Sequence, residues 1–130
     1  MMYRLLFVIA AFFNIVVKVV AVEWNCASST SSGAFTRATD CVISGGTKVY
    51  VNGGTFELTG DNTDMDNLVQ VTAASNKKHF AVDGGATITI RYIKLTGGNP
   101  SGNGGSINLN SGSGATLNVY YSIFVENKNQ

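Results

Sequence analysis

The 130-residue chain suffices for one modest domain. Its fifteen glycines and single proline, amid abundant Ser, Thr and Asn, describe a turn-rich β protein and exclude a helical bundle. Nine Lys and Arg stand against eight Asp and Glu; Lys77-Lys78 is the only basic cluster, so no nucleic-acid partner is expected, because holding a phosphate backbone requires concentrated positive charge.

Residues 1–21 read as a signal peptide. Met1 to Arg4 form a positive n-region, Leu5 to Phe13 an apolar run, and Val19-Val20-Ala21 a small-residue cleavage site. Asn14 and Lys18 break the apolar stretch, which makes it a poor transmembrane helix. An uncleaved N-terminal anchor, with Lys18 reaching the interface, is the alternative. The membrane is thus expected to enter only through this segment, and the protein to be secreted or displayed at the cell surface. Cleavage after Ala21 leaves seven basic and eight acidic residues, a formal charge of −1.

The only two cysteines follow at once, Cys26 and Cys41. They lack a C-x-x-C spacing and a nearby His, so a disulfide is the expected state in an oxidising compartment. Closing a loop of about 15 residues is worth roughly 3 kcal/mol in the chain-entropy model. Residues 22–44 then read as an irregular, disulfide-pinned cap, with Trp24 and Phe35 covering the open end of whatever follows.

From Val49 onward, short runs alternate between apolar and polar: Val49-Tyr50-Val51, Val69-Gln70-Val71, Phe80-Ala81-Val82, Ile88-Thr89-Ile90, Ile107-Asn108-Leu109 and Leu117-Asn118-Val119. Period two between Gly, Asn and Asp is the strand signal. An echo runs through them, apolar-x-apolar-x4-apolar: Val49, Val51, Phe56; then Ile88, Ile90, Leu95; then Leu117, Val119, Phe124. The last two copies share the lead-in Gly-Ala-Thr, at residues 85–87 and 114–116. A sandwich does not require that recurrence, whereas a solenoid does. The predicted fold is therefore all-β, a parallel β-helix of about three to four turns over residues 45–130. Its expected interior columns are Val49–Ile88–Leu117, Val51–Ile90–Val119 and Phe56–Leu95–Phe124.

The run Thr87-Ile88-Thr89-Ile90-Arg91-Tyr92-Ile93-Lys94-Leu95-Thr96-Gly97-Gly98-Asn99, followed by Gly104-Gly105-Ser106-Ile107 and by Phe124-Val125-Glu126-Asn127, resembles the repeats of right-handed parallel β-helix proteins. It is most similar to the polymorphic outer membrane protein type, within the pectin-lyase-like superfamily. The resemblance is specific over residues 80–127, loose over 45–79, and absent from the cap. It implies a right-handed coil and a surface or adhesive role. Members of that family run for many repeats, so this chain reads as a short or truncated member, incomplete at its C-terminal side.

The superfamily also holds carbohydrate-active enzymes. Glycoside hydrolysis needs two carboxyl groups a few ångströms apart, yet the repeat equivalent of Asp83 is Asn110. Lyase chemistry needs a basic residue beside acids that bind Ca²⁺, yet Arg91 and Lys94 map onto Tyr120 and Ile123. No catalytic residue is expected. Asp61, Asp64 and Asp66 alternate as Ca²⁺ ligands could, but without the Gly and Glu of an EF-hand loop a solvated loop is the better reading, and no cofactor is expected. His79, alone of its kind, reads as a surface strand residue. The glycine pairs lack the helix and Lys that a phosphate loop requires. Thr87 and Thr116 share a phase, but Thr89 maps to Asn118, which spoils a regular threonine ladder for ice. Outward Tyr50, Tyr92, Tyr120 and Tyr121 offer aromatic faces to sugar rings.

The expected function is accordingly structural or adhesive, without catalysis, with a glycan or a cell-surface protein bound along a solenoid face. The alternative is the N-terminal part of a carbohydrate-active enzyme whose catalytic turns lie beyond Gln130. Self-association through the open C-terminal end is a further expectation, because bare strand edges invite pairing.

Overall fold

The computed structural model describes residues 21–101 and 105–128; all but the last residue of the expected signal peptide lies outside them. The strands are β1 (Val22–Glu23), β2 (Gly33–Arg37), β3 (Cys41–Val42), β4 (Val49–Asn52), β5 (Thr55–Gly60), β6 (Val69–Thr72), β7 (Phe80–Asp83), β8 (Thr87–Arg91), β9 (Ile93–Thr96), β10 (Ile107–Leu109), β11 (Thr116–Tyr120) and β12 (Ile123–Val125). Among the described residues no helix is long and apolar enough to cross a membrane.

Every strand pairing is parallel, and the strands fall into three sheets ordered β1-β2-β5-β8-β11, β10-β7-β4 and β12-β9-β6-β3. Successive trios β4-β5-β6, β7-β8-β9 and β10-β11-β12 each supply one strand to every sheet. That arrangement is consistent with a parallel β-solenoid.

Inside, equivalent side chains stack at strand spacing. Phe56, Ile88 and Leu117 align in one column, and Phe35, Leu58, Ile90 and Val119 in the next. Val71, Leu95 and Phe124 continue the column that Cys41 begins. Val49, Phe80 and Ile107 form a column on the third sheet, beside Val51, Val82 and Leu109.

All three expected columns differ in their first member. Val49 and Val51 do not lie over Ile88 and Ile90, because they belong to a different sheet. Phe56 lies over Ile88 rather than Leu95. The echo matched corners of equal length, Val51 to Phe56 and Ile90 to Leu95, that join different pairs of sheets. An apolar-x-apolar pair is common to any inward strand, so it could not by itself tell one sheet from another. The two later copies, which share Gly-Ala-Thr, do pair in the expected register. Val119 and Phe124, expected to be interior, are 39% and 42% exposed, because β11 and β12 are the last strands of their sheets among the described residues.

The region expected to be an irregular cap is more ordered than that. β2 pairs with β5 over five residues, and β3 pairs with β6. Cys26 and Cys41 form a disulfide. Trp24 is 1% exposed, edge-on to Phe56 at 5.8 Å and stacked on Phe80 at 6.2 Å; its indole N–H donates to the Thr30 hydroxyl. Phe35 reaches Phe56 at 5.3 Å. Its ring lies over Gly33, where a Cβ would sit 2.8 Å from Cζ and the backbone holds φ +128°, so a side chain at that point would displace the ring and strain the backbone.

Left-handed corners recur at equivalent places. Gly97 takes φ +75° and Glu126 φ +55°, and the register of Leu95 with Phe124 puts them in the same position. Only glycine adopts that conformation without steric cost. Glu126→Gly is therefore expected to raise stability by about 0.5–1 kcal/mol, the relief exceeding the extra entropy of an unfolded glycine; denaturant titration reads it, and a loss would show that the corner carries no strain.

The Phe-x-x-Asn motif has a plain structural role. The Asn127 side-chain oxygen accepts from the Gly98 N–H at 2.8 Å, and its amide donates to the Leu95 carbonyl at 3.0 Å. One side chain thereby ties the corner of the preceding strand set to its own.

Candidate functional site

Outward chemistry concentrates where the chain passes from the five-stranded sheet to the four-stranded one. Arg91 leads through Tyr92 to Ile93, and Tyr120 through Tyr121 and Ser122 to Ile123. Tyr92 and Tyr121 hold left-handed φ values of +52° and +49°, and their rings stack at 5.0 Å with 8° between planes. The Arg91 guanidinium lies 4.2 Å above the Tyr120 ring. Tyr121 is 64% exposed, so the outer face of the pair is open. Tyr50, grouped with these tyrosines in the sequence, stands apart on β4.

At the same corner the earlier passage from β5 to β6 is much longer. Residues 61–68 form a loop there, where a single Tyr92 suffices between β8 and β9. Gly60 lets the chain pass against the Tyr92 carbonyl oxygen, where a Cβ would collide. The loop is ordered by its own Asx bonds. Asn62 Oδ1 accepts from the Asp64 N–H, Asp64 Oδ1 accepts from the Asp66 N–H, and Asn67 Nδ2 donates to Asp64 Oδ2 at 2.7 Å. These donors hold the Asp64 carboxyl below the usual carboxylate range, the Asn67 amide contributing most.

Asp61, Asp64 and Asp66 do not converge: among the described residues no group of three or more His, Cys, Asp or Glu could hold a metal ion. The oxygens of Asp64 are turned to the N–H donors of its own loop instead of toward a common centre. Met65, Asp66, Asn67 and Leu68 form one wall of a groove of about 500 Å³ over the outer face of the four-stranded sheet, which Lys94, Gln70 and Ile123 line from below.

Asp83 lies on the third sheet. Its Oδ1 accepts from the Gly84 N–H at 2.7 Å and from Asn110 Nδ2 at 3.1 Å; its Oδ2 accepts from the Tyr50 hydroxyl at 3.2 Å. The Gly84 amide, then Ser113 and Asn110, hold its carboxyl low, and the bond to Asp83 raises the Tyr50 phenol. Asn52 and Asn110 are its neighbours along the stack, as the sequence indicates for Asn110. A carboxylate so placed joins strands; it has no second carboxyl beside it among these partners.

His79 is not a surface residue. It is fully buried. Its Nε2 lies 3.1 Å from the Val71 carbonyl and 2.9 Å from that of Thr96, and Nδ1 lies 2.9 Å from the Ser106 hydroxyl. Two carbonyls at Nε2 require the N–H there, which leaves Nδ1 to accept from Ser106. Burial pushes its pKa down to about 4, opposed in part by the carbonyl contacts. Strand alternation could not reveal this, because His79 occupies the corner before β7, where period two does not yet apply.

The same corner gathers cations. Lys48, just before β4, and Lys77 and Lys78, in the turn before β7, line one pocket. Lys48 is the member that the sequence alone left apart from the Lys77-Lys78 pair.

No protein-family model, no curated protein and no solved structure matches this chain.

Proposed function

We propose that this protein is a secreted or surface-displayed, right-handed β-helical module of the polymorphic outer membrane protein type, which binds a glycan along one outer corner and performs no catalysis. The observation that carries the reading is the Tyr92–Tyr121 stack beside the loop-walled groove. An exposed tyrosine in a left-handed conformation costs stability, and the open ring face it presents is the surface on which sugar C–H groups pack. Parallel strands in register repeat outward positions at regular spacing, which suits an extended ligand. The disulfide agrees with an oxidising compartment, and a preordered loop lowers the entropy lost on binding.

Glycan-array screening followed by titration tests this. A bound oligosaccharide is expected, and Tyr121→Ala should weaken it about tenfold, the worth of one aromatic stacking contact of about 1.4 kcal/mol. Absence of glycan binding, or binding indifferent to Tyr121, removes the reading.

A further inference from the structure

We propose that the pocket lined by Lys48, Asn76, Lys77, Lys78, Pro100 and Ser101 binds the anionic group of an acidic glycan, a sulfate or a carboxylate on a sugar ring. This goes beyond the glycan-binding reading, at the corner before β7 and not at the Tyr92–Tyr121 corner, and rests on it. The pocket holds about 240 Å³, room for one such group and part of its ring. Three of the seven Lys and Arg after Ala21 line it, and no Asp or Glu does.

The fold makes this concentration. Val49 pairs with Phe80, which brings Lys48 beside the turn that carries Lys77 and Lys78. That turn is pinned by the Lys77 N–H to the Ala74 carbonyl and by the Asn99 N–H to the Lys77 carbonyl, with Asn76 at φ +57°. Lys48 and Lys78 are half-buried, and Lys77 is exposed. Burial, and then the charge of Lys48, press the Lys78 ammonium below its usual pKa. Like charges gathered at one place repel. An incoming anion relieves that repulsion, and the Asn76 amide and Ser101 hydroxyl supply neutral hydrogen bonds at the same pocket. A strongly hydrated ammonium is a point charge without a fork, so the site suits a single anionic group better than a planar bidentate one.

The test is calorimetric titration of the full chain with a sulfated hexasaccharide, an oligouronate, the desulfated hexasaccharide, inorganic sulfate and a single-stranded oligonucleotide. An acidic sugar should bind at least about tenfold tighter than the neutral one, and added salt should weaken it as exposed charges are screened. Lys48→Ala should cost about tenfold and Lys48→Arg should restore most of it, with thermal melts showing both variants folded. Equal affinity for the desulfated sugar, or indifference to Lys48→Ala, overturns the pocket and leaves the glycan reading standing. Failure of every sugar to bind overturns both. Inorganic sulfate binding as tightly as the acidic sugars, or the oligonucleotide binding more tightly than either, replaces the acidic glycan and overturns the inference.

Discussion

Ile90→Asp unfolds this protein, whereas Arg91→Ala lowers its stability by about 0.5–1 kcal/mol. The two residues are neighbours in β8, so the contrast isolates the direction of the side chain. Ile90 is fully buried between Leu58 and Val119 in an interior column. The substitution forfeits about 2–3 kcal/mol of apolar burial and places a carboxylate where no cation is stacked. An unpaired buried charge costs several kcal/mol more, and the sum rivals the 5–15 kcal/mol total stability usual for domains. Arg91 points outward and loses only its contact with the Tyr120 ring. Thermal melts compare the variants directly. Similar losses from both would mean that the strand phase is wrong and the stack with it.

The second large effect is acid sensitivity through His79. Its folded pKa of about 4 lies below the ordinary 6.5, so below pH 6.5 the unfolded chain takes up a proton that the native state refuses. The stability associated with neutral His79 is complete above that pH and is lost progressively as pH falls from about 6.5 to 4, about 3 kcal/mol in all. Asp64 and Asp83, whose carboxyls are also held low, act in the same sense at lower pH. They favour the native state while ionised, and their contribution fades only as pH falls below their ordinary 3.8, a lower window. Urea titrations at intervals from pH 8 to 4 should show the decline in the wild type. His79→Gln, which keeps an amide donor for the Val71 and Thr96 carbonyls but does not titrate, should be less stable at pH 8 and nearly flat across the range. Parallel pH profiles for the two proteins would remove His79 as the cause.

Much of this architecture was written in local chemistry. Alternating Val, Ile, Leu and Phe between Gly and Asn identifies strands, because period two is a property of the extended backbone itself. The Gly-Ala-Thr recurrence led to the correct register of β8 with β11 and of β9 with β12. Isolation of Cys26 and Cys41 led to their bond, since two cysteines allow only one intramolecular pairing. What the sequence could not decide was which sheet each strand joins. Corners of equal length look alike in one dimension, so the echo aligns Val49 with Ile88 although its partner is Phe80. For the same reason the first coil, β2 and β3, passed for an irregular cap: its Ser, Thr and Gly gave no alternation to read, and its order comes from pairing with β5 and β6.

The candidate sites divide along the same line. Sequence alone determined the residues available: outward tyrosines, a loop rich in Asp, one histidine and few lysines. Tertiary structure decided their roles. It stacked Tyr92 on Tyr121 across 29 positions of chain, folded the Asp64 carboxylate onto its own loop, carried Lys48 to Lys77 and Lys78, and buried His79 between two carbonyls and a hydroxyl. These are relations between successive strand sets, set by interior columns that bring distant residues to one corner. A side chain's own identity carries no record of which neighbour the stack will deliver.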